Sequence, residues 1–580
     1  KISKRRVCNC RRWKGKNKMN WIIEKSENLE TVNQLSKDLN IDMILSSMLV
    51  NRGIKSFDQA KDFFRPSLDQ LHDPFLMKDM NLAVDRVLQA VQNKESVMIF
   101  GDYDVDGTSS VALLSMYLKS LGCKVVTYFP DRNLEGYGIS TKAIDLADQK
   151  NQKLIIALDC GIKAHDQVAY ALRKDVNFII CDHHNPDESI PKALAVLNPK
   201  RKDCKYPFKE LCGCGVGFKL IQAIELKINN KIDGVINYLD LVAIAIAADI
   251  VPIIGENRIL AHIGIQIINS NPRTGINSLF KNRVKKEFNI GDLMFHIAPR
   301  INAAGRMEHA SLALELLIET DTQKADELAL KIESLNNSRR EVEKETTNQA
   351  LDYIKEDKKE TNSTVVFNKS WNKGVIGIVA SRLIEKHYKP TVVFCESKNG
   401  ELTASARSVK GIDLYKILED CSETICQFGG HKYAAGLTIK KENYLNFKNK
   451  FEMAVSKIFE SKSSEPEIII ESEIDLDFIT PKFYRILKQF EPFGPGNRTP
   501  LFLSKGLKIK NKKFKLGKEK EHIKLNLTHD NIQTYPAIGF WLSDKFDSIK
   551  DSTNFSAIYS IDENTWNGVT TIQLKIKDFK

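Results

Sequence analysis

Three aspartates at alternate positions, Asp102, Asp104 and Asp106, open the polar stretch GDYDVDGTSS directly after the apolar run Val97–Phe100. Asp159 stands directly after a second apolar run, Leu154–Leu158, and Asp182-His183-His184 directly after a third, Phe178–Cys181. Asp249 follows an Ala-rich segment, VINYLDLVAIAIAA. Alternate acids alone could be nothing more than a solvated turn. Their company changes the reading. Carboxylates gathered in one place repel one another unless a cation neutralises them. A mixed Asp/His donor set suits Mn2+, Mg2+ or another divalent ion rather than the thiolate-rich sites of structural zinc. Two such ions, bridged by a carboxylate, are the recurring device for cleaving phosphoesters.

Positioning these groups is a task for strands and helices. Apolar strand, polar loop and helix (the first helix read at Val111–Leu121), three times over, predict a parallel α/β sheet. Such sheets bind ligands in the crevice at the carboxyl ends of their strands, so all three loops are expected at one crevice. Residues 235–248 read as a buried helix that delivers Asp249 at its end. Upstream, Leu29–Glu95 is helical in pattern and carries no recognisable chemistry. From Asp321 to Lys355 the chain is charged and free of Gly and Pro, with Leu328, Ile332, Leu335 and Val342 apolar. That spacing predicts a long one-sided helix linking two domains. A second α/β unit follows: Thr364–Phe367, a helix from Gly374 to His387, Thr391–Cys395 and Leu402–Arg407. The loop Phe493–Pro500 (FGPGNRTP) reads as a boundary. Beyond it, alternating runs such as HIKLNLTH (522–529), TYPAIGFW (534–541) and TTIQLKIKD (570–578) predict an all-β barrel or sandwich.

A chain of 580 residues needs several domains, and 42% hydrophobic with 28% charged residues is ordinary for a globular protein. The longest apolar stretch, Leu239–Ile254, is interrupted by Asp240, Asp249 and Pro252, too short a run for a membrane helix. Eleven cysteines do not make a disulfide scaffold, and a reducing cytoplasm is the expected setting. Cys204, Cys212 and Cys214 match no common zinc spacing and read as loop and core thiols. Of the net charge of +12, nine cations (Lys1, Lys4, Arg5, Arg6, Arg11, Arg12, Lys14, Lys16, Lys18) fall in residues 1–18, leaving 12 − 9 = +3 for the rest. Met19-Asn20-Trp21 reads as a natural start and residues 1–18 as an extension without a fold; the other reading is a basic nucleic-acid-binding arm.

GDYDVDG, DCG, DHH and AADIVP, in that order, resemble the motif set of the DHH phosphoesterase superfamily. RINAAGR (300–306), SARS (405–408) and GGHKYAAG (429–436) resemble its associated C-terminal subdomain. With its length and the β-rich region after EPFGPGN, the chain is most similar, over about residues 21–580, to the single-strand-specific 5′ exonucleases of that superfamily. The resemblance implies a parallel-sheet DHH domain, a second α/β subdomain joined by a long helix, and an all-β OB-like barrel. The implied layout is an extension (1–18), an N-terminal helical region (19–95), the catalytic domain (96–320), the linking helix (321–360), the DHH-associated substrate-binding domain (361–462) and the OB-like domain (463–580).

Residue by residue, the resemblance makes Asp104, Asp106, Asp159, His183 and Asp249 the ligands of two divalent ions, Mn2+ or Mg2+. Asp159 would bridge; Asp106, His183 and Asp249 would complete one site, and Asp104 would belong mainly to the other. His184 would orient ligands or touch the scissile phosphate. Many superfamily members carry a His four residues before the first ligand Asp, where this chain has Phe100, and Asp102 would stand in for it. Cys160 and Cys181, beside the motifs, read as strand-end packing rather than nucleophiles.

Guanidinium forks and Gly-rich backbone suit a terminal phosphate. The candidates are Arg300, Arg306, Ser405, Arg407, Gly429, Gly430 and His431, against a local role in turns and salt bridges. By resemblance, Ser405, Arg407 and one of Arg300 and Arg306 hold the 5′-phosphate; Ser381 and Arg382 stay unassigned. Between Lys505 and Lys524 lie nine lysines against Glu519 and Glu521, with Phe514 interleaved. Basic strands with an aromatic suit a sequence-blind grip on single-stranded nucleic acid, although such runs also serve as solvated or aggregation-resistant edges.

The function implied is two-metal 5′→3′ hydrolysis of single-stranded DNA to mononucleotides in repair and recombination. A helicase and single-strand-binding protein would be partners, the enzyme a monomer, and a channel between the two α/β units would pass one strand only. Two other readings keep the same crevice: cleavage of oligoribonucleotides or cyclic dinucleotides, which would not need the barrel, and a non-catalytic single-strand-binding scaffold, against which the intact acidic set argues.

Overall fold

The computed structural model describes residues 19–580 except 27, 133–134, 137, 282–286, 357–360, 398, 460–466, 511–513, 518, 531–532, 548, 550–553 and 567. The basic segment 1–18 and Lys512, Lys513 and Lys518 thus lie outside the described residues. Two compact units emerge. One is Asp62–Glu341 with Glu491–Arg498; the other gathers the chain up to Lys61, Val342–Phe490 and Thr499–Lys580.

The first unit is built on a five-stranded parallel sheet in the order Lys124–Tyr128, Ser96–Gly101, Leu154–Leu158, Asn177–Cys181, Ala195–Leu197. Val97 and Ile99 face one core while Met98 and Phe100 face the other, so the strands read as continuous apolar runs. Leu158 pairs with both Gly101 and Cys181. Asp102, Asp159 and Asp182 therefore leave the sheet side by side at one edge. The helices Val105–Ser120, Gly213–Asn229 and Leu239–Asp249 fill the core on one face. The helix predicted over 235–248 starts at Leu239, after a 3-10 stretch Asp233–Tyr238, and ends on Asp249 itself. The loop read as a boundary packs into this unit: Ile253 donates its amide to the Pro495 carbonyl at 2.7 Å, and a Cβ on Gly494 would fall 2.5 Å from Ile253 Cγ1.

In the second unit a five-stranded sheet runs Gln427–His431, Ala434–Ile439, Leu402–Arg407, Thr391–Glu396, Thr364–Phe367, with only the last two parallel. Its helix starts at Ile376, two residues past the predicted Gly374, and ends at His387. The C-terminal region is a seven-stranded barrel in which Phe502–Ile509 pairs with both Phe555–Trp566 and His522–Thr528. The amphipathic helix Pro481–Lys488 and the short helix Ser543–Asp547 accompany its strands. Asn20–Ile23 forms a strand parallel to Glu467–Ile470, and the Trp21 indole donates to Asp578 at 2.9 Å. The helix predicted from Asp321 to Lys355 is continuous over Thr322–Glu356. Ala325, Ala329 and Ile332 bury in the core of the first unit, Ala350 and Leu351 in a core of the second. Among the described residues no helix is long and apolar enough to cross a membrane.

Candidate active site

Each acid owes its position to a local device. Asp104 accepts the Gly107 amide at 3.1 Å and caps the helix Val105–Ser120. Asp106, in the first turn of that helix, is buried and accepts the Gly213 and Cys214 amides at 2.6 and 2.7 Å. Those are the first amides of a second helix, where an anion is favoured. Asp159 takes φ 60°, and a Cβ on Gly213 would fall 2.5 Å from its Oδ1. Glycine is therefore what lets the helix start against Asp159. His183 Nε2 lies 3.2 Å from Asp159 Oδ1, 3.7 Å from Asp249 Oδ2 and 3.9 Å from Asp106 Oδ2. Asp182 turns the other way. It accepts the amides of Ile162, His183 and His184 at 2.9, 2.7 and 3.1 Å and lies 2.7 Å from His184 Nδ1.

The electrostatics follow from this crowding. Burial, then the charge of Asp104, pushes Asp102 up to about 8 and Asp106 up to about 7. Burial and the charge of Asp106 likewise hold Asp159 and Asp249 well above the usual carboxylate range. Burial would raise Asp182 too, but His184 and the loop amides keep it far below that range. Burial disfavours the His184 cation, yet the Asp182 carboxylate wins and raises it to about 9.

Ligand atoms of three overlapping groups lie within 4.8 Å of one another: Asp159, His183 and His184; Asp106, His183 and Asp249; Asp102, Asp104 and Asp159. Asp102 Oδ1 and Asp159 Oδ1 are buried and, among the described residues, accept no hydrogen bond. Such carboxylate oxygens, beside further carboxylates and a histidine, fit divalent cations. Phe100 offers nothing to this cluster; it packs in the core against Tyr128, with ring centroids 5.6 Å apart. Cys160 and Cys181 are buried, and burial pushes both thiols up, away from a nucleophile. Cys212 caps its helix by accepting the Gly215 amide at 3.3 Å, and Cys214 is core.

Asp182 and the Gly213 and Cys214 amides lie outside the ligand set that the motifs imply. The run GCGVG ahead of an apolar helix was the available signal. Tyr103, inside the acidic motif, is outside that set too, and its ring lies under the Arg132 guanidinium at 4.1 Å.

The expected phosphate residues divide between the units. On the helix Ala298–Met307 of the first, Arg300 donates to Glu333 and to the His296 carbonyl. Arg306 is near the acidic loop: a Cβ on Gly305 would fall 2.2 Å from the Tyr103 carbonyl, and the Arg306 charge acts on Tyr103. In the second unit, Arg407 donates to Ser405 Oγ at 3.0 Å and to the Ala406 carbonyl at 2.8 Å. Both residues face Gly377 in the first turn of the helix Ile376–His387. Burial lowers the Arg407 pKa, and among the described residues no carboxylate pairs with it. Two rows cross the sheet, Gly429–Gly436–Ser405 and His431–Ala434–Arg407, with only small residues in the middle strand. Gly430, at φ 146°, comes between Gly429 and His431 on the edge strand. Arg382 is engaged by Glu343 and Glu385.

Three family models match the chain: the DHH family N-terminal domain over residues 96–246, the DHHA1 domain over 360–457 and the RecJ OB domain over 470–578. The single-stranded-DNA-specific exonuclease RecJ of Bacillus subtilis (strain 168) is 34% identical over 97% of this chain and 71% of its own. RecJ of Haemophilus influenzae Rd is 31% identical over 88% of this chain and 92% of its own. The crystal structure of RecJ in complex with Mn2+ from Thermus thermophilus superposes with a TM-score of 0.83 at 25% identity, covering 97% of this chain and 79% of that one. A cation-ready acidic edge on a parallel sheet, followed by a DHHA1 domain and a RecJ-type barrel in one continuous match, makes this chain a member of the RecJ family.

Proposed function

We propose that the protein is a divalent-cation-dependent exonuclease that degrades single-stranded DNA 5′→3′ to mononucleotides in DNA repair and recombination. The observation that carries this reading is the sharing of Asp159 and His183 among overlapping donor groups, because two adjacent cations need common ligands. Asp106, His183 and Asp249 would hold one Mn2+ or Mg2+, Asp104 and Asp102 the other, with Asp159 common to both. When bound, such a pair supplies a water nucleophile ionised near neutral pH and neutralises charge at the attacked phosphate.

The chain's own groups do the rest. The amides of Gly213 and Cys214 fix both oxygens of Asp106. Asp182 holds the DHH loop and the His184 ring, aiming His184 at a non-bridging phosphate oxygen. Arg306 is the arginine we assign to the substrate, since Arg300 is taken by Glu333. Ser405, Arg407, Gly429, Gly430 and His431 would take the terminal 5′-phosphate, because a half-buried guanidinium that has no carboxylate partner among the described residues calls for an anion. The domain layout given above, a monomer in the cytoplasm, and a helicase and single-strand-binding protein as partners belong to the same reading.

Digestion of one oligonucleotide labelled at either end, with Mn2+, Mg2+ or chelator, tests it. Expected are metal-dependent mononucleotides from the 5′ end of the single strand, with duplex and RNA copies spared. Cleavage of very short RNA only, or tight binding with no cleavage, would overturn it.

A further inference from the structure

The strand Ala195–Leu197 ends at the same sheet edge as the acids: Leu197 pairs with Cys181, and its carbonyl accepts the Asp182 amide at 3.0 Å. The loop after it, Asn198-Pro199-Lys200-Arg201, holds none of the residues that the motifs imply. Asn198 is fully buried and ties this loop to the DHH loop. Its side-chain amide donates to the His184 carbonyl at 2.9 Å, and its side-chain oxygen accepts the Lys200 amide at 2.8 Å. The backbone of Lys200 is thereby fixed beside the DHH loop. Arg201 turns inward, where it is buried and held by Asp79, Asp203 and the Val196 carbonyl at 2.6, 2.7 and 2.6 Å. Lys202 and Lys205 are exposed, and Lys209 donates to the Cys204 carbonyl at 2.8 Å. Lys200 differs from all of these: it is half-buried and, among the described residues, has no carboxylate within ion-pair distance.

The positive charges of His184 and Lys200 both act on Asp249. The Asp249 side chain is 32% exposed, against 2% for Asp106 and 4% for Asp159. Asp249 thus marks the open side of the centre, from which a phosphodiester must approach, and Lys200 stands on that side. A half-buried ammonium group is costly without an anion. With Asp249 given over to a divalent cation, the anion left for Lys200 is a strand phosphate.

The terminal phosphate is assigned to the Arg407 group and the attacked phosphate to His184, which leaves the linkage on the 3′ side. We propose that Lys200 is a substrate-contacting residue whose ammonium group pairs with the backbone phosphate 3′ to the one attacked, holding the strand against the acidic edge. The proposal rests on the exonuclease reading for the identity and polarity of its ligand.

The test uses the full chain with Mn2+ and a 5′-phosphorylated decamer, reading initial release of the first nucleotide. Lys200→Met is expected to raise KM about tenfold, more than it lowers kcat, through loss of one charge-assisted contact. Lys200→Arg should keep most of that affinity. A neutral methylphosphonate at the second linkage from the 5′ end should raise the wild-type KM by a similar factor and leave Lys200→Met unaffected, since the pair is already broken. Mn2+ affinity, by titration calorimetry, should be unchanged or tighter in Lys200→Met, because a positive neighbour of Asp249 is gone. Equal methylphosphonate losses in wild type and Lys200→Met overturn the proposal, as does an activity loss that tracks a lowered Tm or weaker Mn2+ binding. A wild type that releases nothing from the 5′ end strikes the exonuclease reading instead. Anisotropy of the same decamer with Mn2+ then decides this proposal, which fails if Lys200→Met binds as tightly as wild type.

Discussion

Asp106 shows how one side chain carries two burdens. Its carboxylate is fixed by two helix amides, yet burial beside Asp104 makes its charge costly without a cation. Asp106→Ala is therefore expected to reduce cleavage by at least about 10³-fold while leaving the metal-free protein as stable as wild type or more so at pH 8. Cleavage at an undiminished rate would sink the ligand assignment. Gly213 is the complementary case, since any Cβ there meets Asp159 Oδ1. Gly213→Ala should lower Mn2+ affinity by about 10–100-fold, measured by titration calorimetry, because it displaces a shared ligand without removing it. Phe100, which the motif resemblance already marked as a departure, packs in the core, and Asp102 forms a donor group with Asp104 and Asp159.

At the scale of elements, the DHH loop and the N-terminal strand each depend on one polar anchor. Asp182 gathers three amides and the His184 ring, so Asp182→Asn presents donors to donors. Activity should fall about 10–100-fold with the melting temperature lowered, and a variant with wild-type kinetics would show that the loop holds itself. Trp21 ties the strand Asn20–Ile23 to Asp578 near the other end of the chain. Trp21→Ala is expected to cost about 2 kcal/mol in urea unfolding of the second unit, through lost apolar contact and the lost hydrogen bond to Asp578, which keeps Lys545 as a partner. The helix Thr322–Glu356 was legible from spacing alone, because its two halves each present an apolar stripe to a core. The helix ending at Asp249 was not bounded well, since a helix apolar all round has no periodicity to mark its start.

For the whole molecule, the acidic centre belongs to one unit and the barrel to the other, each with its own core. Thermal unfolding without metal should show two transitions, and Mn2+ should raise only the one belonging to Asp62–Glu341. That transition also carries a pH signature. Folding raises Asp102 to about 8 and Asp106 to about 7 from an ordinary 3.8, so the folded state holds more protons than the unfolded state between about pH 4 and pH 8. Stability from these groups is complete below the unfolded value and is lost as pH rises through the folded values. The metal-free melting temperature should therefore fall from pH 5 to pH 8, and the gain on adding Mn2+ should be larger at pH 8. A gain independent of pH would mean that the raised carboxyls are not the ligands.

By itself the sequence determined the parallel sheet, the acids at its edge and the family, because apolar runs ending in acids survive as a one-dimensional pattern. What only the tertiary structure decided are relations between residues far apart in the chain. Gly213 and Cys214 reach Asp106 across more than 100 positions, Trp21 reaches Asp578, and Arg300 is withdrawn by Glu333 while Arg306 stands near Tyr103. Phe540 and Trp541 meet His522 only once the barrel closes. Such contacts leave no period in the sequence. They arise from packing, which fixes which backbone amide or ring a given side chain meets after the helices and strands have formed.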